Sequence, residues 1–62
     1  MKFRMFTDAV TKRKVAVNVD RVADIVEVGD GTTDIWFATE RLVVNVAEDF
    51  DTVLARLNTV AE

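Results

Sequence analysis

From Met1 to about Val46 apolar and polar residues alternate with a period of two, and the side chains suit a pleated surface: Val dominates, with Thr, Ile, Phe and Trp between. The first run, Lys2 to Thr7, sets Phe3 and Met5 against Lys2, Arg4 and Phe6. A polar, basic connection of hairpin length follows from Asp8 to Lys14. The next run, Lys14 to Val19, points Val15, Val17 and Val19 one way and Lys14, Ala16 and Asn18 the other. Asn18 to Arg21 interrupts it, because Asn and Asp side chains bond nearby backbone amides and favour turns. Val22, Ile25 and Val26 have helical spacing while Ile25 to Val28 reads as strand, which predicts one helical turn at Asp20 to Ala23 feeding a strand that ends at Val28.

Gly29, Asp30 and Gly31 are the clearest punctuation, since the only two glycines permit the positive φ angles of a tight hairpin. They predict that a strand over Thr32 to Thr39 pairs antiparallel with the one before it. A turn at Thr39 to Arg41 then leads into a strand from Leu42 to Ala47. Beyond Ala47 the period becomes 3.6: Phe50, Val53, Leu54, Leu57, Val60 and Ala61 share one helical stripe. Glu48, Asp49 and Asp51 sit where a helix start favours negative charge. The expected fold is α+β, a small antiparallel β-meander of about five strands with one C-terminal amphipathic helix, in a single domain over 1–62.

Laying Phe50, Val53, Leu54 and Leu57 across Val15, Val17, Ile35, Phe37, Val44 and Val46 gives a two-layer core. The opposite parity holds Phe6, Ala16, Ile25, Trp36, Ala38 and Val43, an apolar second face of the kind that marks an interface. Composition strengthens that expectation. A 62-residue domain buries only about 60% of the surface its unfolded chain exposes and usually needs disulfides, a structural metal or self-association. With no Cys and no His, the first two supports lose their ligands, and the usual thiol and imidazole catalysts are missing as well. Self-association is left.

Other chemistry lacks its parts. Gly29-Asp30-Gly31 has neither the spacing nor the lysine of a phosphate loop, and Asp30 and Asp34 fall short of a calcium loop's ligand set. The reading is a non-enzymatic module with no cofactor and no metal. Its interface residues are expected to be Trp36, Ile25, Val43 and Phe6, with Arg41 at the rim. No stretch approaches the roughly twenty apolar residues of a membrane span, nor does MKFRMFTDAV hold a signal-peptide core, so a cytoplasmic protein off the membrane is expected.

Charge is unevenly spread. Residues 1–21 carry six basic and two acidic groups, +4, and residues 22–62 two basic and nine acidic, −7. This division can steer encounter or order subunits head to tail. It also leaves alternatives open: a small nucleic-acid-binding regulator using Arg4, Lys12, Arg13 and Lys14 with Phe6, or a phage-encoded inhibitor presenting Asp30 and Asp34 to a basic host protein.

The stretch from Val15 to Glu27, then Thr33-Asp34-Ile35-Trp36-Phe37, then Val44 to Val53 resembles the FlbD-type family of small flagellar and swarming-associated proteins. Asn18, Asp20, Val22, Ile25, Glu27, Ile35, Val46, Glu48 and Val53 occupy the places of that family's pattern, and Val19 stands where a proline is frequent. The resemblance implies the same small sheet-plus-helix fold and a regulatory role through a protein partner.

Overall fold

The structure is a computed structural model that describes residues 2–38 and 42–58. Its elements are β1 (Phe3–Thr7), β2 (Lys14–Asn18), a 3-10 turn (Val19–Arg21), β3 (Val22–Glu27), β4 (Thr33–Phe37), β5 (Val43–Val46) and α1 (Phe50–Leu57). All strand pairs are antiparallel, in a two-stranded sheet β1-β2 and a three-stranded sheet β3-β4-β5. The α+β architecture with a single C-terminal helix is as the periodicities predict. The division into two sheets is not.

Among the described residues, backbone bonds join the two sheets at one place. Asp8 bridges Val46, the Ala9 amide donates to the Asn45 carbonyl at 3.0 Å, and the Ala47 amide donates to the Thr7 carbonyl at 2.7 Å. Pairing between β1 and β5 goes no further, because α1 and the residues before it lie against the rest of the β1 edge.

Turn chemistry explains four of the connections. At the β1-β2 turn Asp8 Oδ1 accepts from the amides of Val10 and Thr11, both at 2.9 Å, and Lys12 takes a left-handed φ of 65°. Asn18 caps the 3-10 turn by accepting from the Asp20 amide at 3.0 Å. The turn thus starts one residue earlier than the spacing predicts. In the β3-β4 hairpin the Gly31 amide donates to the Val28 carbonyl at 3.1 Å, and Gly31 has a φ of 90°, a conformation L-residues rarely adopt. Asp49 is the N-cap of α1, accepting from the Thr52 amide at 2.9 Å.

Phe6, Val17, Ile35, Val46 and Val53 are fully buried, with Val15, Val22, Ile25, Phe37, Val44 and Leu57 packed around them. Thr33 is buried among them and donates its hydroxyl to the Glu48 carbonyl at 2.9 Å, so its polar atom is satisfied.

This core corrects the expected faces at three positions. Phe6, expected on the outer face, is 2% exposed: the register sets it opposite Val15 and Arg4 opposite Val17, and cross-strand partners share a face. Ile25 turns inward because Ala23 is an extra residue in β3. Val22 pairs with Phe37 and Asp24 with Trp36, so this β-bulge shifts the alternation and sends both Val22 and Ile25 to the core. The three-residue spacing that imitated a helix is a bulged strand. Leu54, expected in the helix's buried stripe, is exposed, while Val53 and Leu57 make the contact with the sheets. The expected turn at Thr39 to Arg41 and the stripe residues Val60 and Ala61 lie outside the described residues.

Candidate interaction surfaces

Alternation along β4 buries Thr33 and Ile35, packs Phe37 on the core and sends Asp34 and Trp36 outward. Trp36 is 39% exposed and stands opposite Val43, which is 44% exposed, so the two form one cross-strand apolar pair on the outer face. Val26, 47% exposed, extends the patch along β3 opposite Asp34. Its polar frame is acidic: Asp24 lies opposite Trp36, and Asp34 Oδ1 accepts from Asn45 Nδ2 at 2.9 Å. Asn45 Nδ2 also donates to Thr32 Oγ1 at 3.0 Å, which fixes this end of the face.

Of the residues expected at an interface, Trp36 and Val43 therefore stand together on this surface. Phe6 and Ile25 lie beneath it in the core, and Arg41 is outside the described residues.

A second apolar surface lies on β1 and β2. Phe3 and Met5, 51% and 50% exposed, project side by side from the outer face of β1, with Met5 opposite Ala16. Lys14, opposite Thr7, shares that face, and Lys12 and Arg13 continue the positive charge into the exposed turn. The alternation of Phe3 and Met5 against Phe6 was visible in the sequence. What hid the surface was the missing register, which alone says that Phe6 goes in and that Phe3 and Met5 must stay out.

The basic residues do not converge. Arg4 alternates to the other side of β1 from Met5, three residues from the Lys14 end. Its Nε donates to the Arg56 carbonyl at 3.1 Å and its Nη1 to the Phe3 carbonyl at 3.2 Å. Arg4 therefore braces α1 against β1, and Lys12 to Lys14 form a separate cluster.

Beside these faces, Met5, Phe6, Thr7, Lys14, Glu48 and Arg56 line an open concavity of about 300 Å³. Glu48 Oε1 accepts from the Thr7 amide at 3.0 Å, and Glu48 Oε2 lies 3.4 Å from Arg56 Nη1. The same guanidinium donates to the Met5 carbonyl at 2.8 Å and lies 5.5 Å from the Phe6 ring centroid. Burial raises the Glu48 carboxyl's pKa, but hydrogen bonds from Thr7 and from its own backbone amide, with the Arg56 charge, outweigh burial and hold it below the ordinary glutamate value. A carboxylate held ionised and hydrogen-bonded in this way is a clasp between strand and helix, not a proton donor.

The other lowered carboxyls have local causes as well. Asp8 is held down by the amides of Thr11 and Val10, Asp30 by the hydroxyl and amide of Thr32, and Asp49 by the hydroxyl and amide of Thr52. Each belongs to a turn or a helix cap. Among the described residues no three carboxylates are grouped so as to hold a metal ion, and no helix is long and apolar enough to cross a membrane. No protein-family model, curated protein or solved structure matches the chain.

Proposed function

We propose that this chain is a non-enzymatic, cytoplasmic interaction module that associates with itself through the outer face of the β3-β4-β5 sheet. The observation that carries the reading is the exposed Trp36–Val43 pair, with Val26 beside it, on the sheet face turned away from the core. Aromatic side chains, Trp among them, are enriched at protein interfaces and at their energetic hot spots. The small core supports it: five fully buried apolar side chains among the described residues, in a chain with no Cys to cross-link, leave a protomer of this size wanting further burial. The resemblance to FlbD-type proteins adds the expectation that the assembly serves flagellar or swarming regulation through a protein partner.

Nucleic-acid binding has less in its favour, because Arg4 is engaged with α1 and only the Lys12 to Lys14 cluster remains for phosphate contacts. Sedimentation equilibrium at micromolar concentration tests the main reading. The wild-type chain is expected to exceed the protomer mass, and Trp36→Glu, with its far-UV circular dichroism unchanged, is expected to sediment as a protomer. A compact wild-type monomer would refute it.

A further inference from the structure

We propose that self-association is head to tail: the acid-framed Trp36 face of one copy docks on the base-framed Phe3–Met5 face of the next. The proposal rests on the reading that Trp36 anchors an interface and adds what that interface meets. Among the described residues the Trp36 and the Phe3–Met5 patches lie on different sheets, so one subunit offers both halves of a joint at once. Their charges are opposite. Asp24 and Asp34 share the outward face of Trp36 and Val26, while Lys14 shares that of Met5 and Ala16, with Lys12 and Arg13 beyond it.

A two-fold joint of Trp36 faces would bring the neighbourhood of Asp24 and Asp34 against its own copy, and a two-fold joint of Phe3–Met5 faces would do the same for the lysines. Like charges across an interface select against a pairing, and the crossed pairing removes both conflicts. A joint of ordinary size covers about 800 Å² per partner, so the two faces of one copy together cover roughly two fifths of the 4266 Å² surface of this chain. Backbone pairing along the β1 edge beside α1 is closed, because the Met5 carbonyl and the Thr7 amide already bond Arg56 and Glu48. The β1 edge is therefore not the joint.

A mixing experiment separates the arrangements. Met5→Glu disables the basic face and Trp36→Glu the acidic one. Each variant alone is expected to sediment as a protomer, and an equimolar mixture as a 1:1 complex, because one intact face of each kind remains. Raising the salt from roughly 50 mM to roughly 500 mM should weaken wild-type association by about tenfold. If Met5→Glu associates like wild type, or the mixture stays monomeric, or salt strengthens association, head-to-tail docking is overturned while the Trp36 interface stands. If the wild-type chain is itself monomeric, both fall. Lys14→Glu, an exposed change remote from the core, replaces Met5→Glu should that variant lose its circular dichroism spectrum, and is expected to weaken association in the same direction.

Discussion

Gly29 and Gly31 occupy the same hairpin and have the same empty surroundings, yet only one of them needs to be glycine. A Cβ at either position meets no atom within 4 Å, but Gly31 holds a φ of 90° and Gly29 does not have a positive φ. Gly31→Ala is expected to lower stability by about 1–2 kcal/mol and Gly29→Ala to change it by less than about 0.5 kcal/mol, read from urea unfolding midpoints. Equal effects would show that the turn is not built as described. That one of these glycines makes the turn was legible in the sequence; which one was not, because the choice depends on where the Val28 carbonyl meets its amide.

Between elements, the decisive feature is the clasp in which Glu48 and Arg56 tie the start and end of the helical segment to β1. Its titration has a definite sign. The folded carboxyl lies below its ordinary value, so as pH falls the unfolded chain takes up the proton first, and the stabilisation is complete above about pH 4.5 and lost as pH drops through the lower folded value. Glu48→Gln is expected to cost about 1–2 kcal/mol at neutral pH, with the gap to wild type closing below pH 4.5 in urea titrations at stepped pH. A gap independent of pH would assign the loss to shape rather than charge.

The element types and most boundaries follow from periods of 2 and 3.6 in the chain, and the acidic helix start was readable as a cap, realised by Asp49. Two things were not readable. The extra residue at Ala23 imitates helical spacing, because a bulge and a helix both bring positions three apart to one side. The register of β1 on β2, which buries Phe6, is fixed by a six-residue turn whose Asp8 cap and left-handed Lys12 no hydrophobic pattern encodes. Of the candidate site, Trp36 and Val43 could be placed from parity alone, since β4 and β5 are short and unbulged; Phe3 and Met5 needed the register first.

For the whole molecule, stability and assembly are linked. If the protomer completes its burial against a copy, the folded state gains free energy with concentration, and the thermal midpoint should rise as the protein is concentrated roughly a hundredfold. Differential scanning fluorimetry on Trp36→Glu should show no such rise, since that variant lacks the joint; a concentration-dependent midpoint in the variant would place the stabilising contact elsewhere. The charge asymmetry between residues 1–21 and 22–62 acts at this scale too. Only part of it falls on the two apolar faces, with Asp24 and Asp34 beside Trp36 and Lys14 beside Met5, while Arg4 and Glu48 are engaged between β1 and α1.

The occupied edge of β1 bears on the fate of such a protein at high concentration. A chain that recruits its own kind runs the hazard that recruitment slides into endless backbone stacking of the amyloid type, for which an uncovered strand margin is the usual seed. With the Met5 carbonyl bonded to a guanidinium and the Thr7 amide to a carboxylate, this margin offers neither group to an added strand.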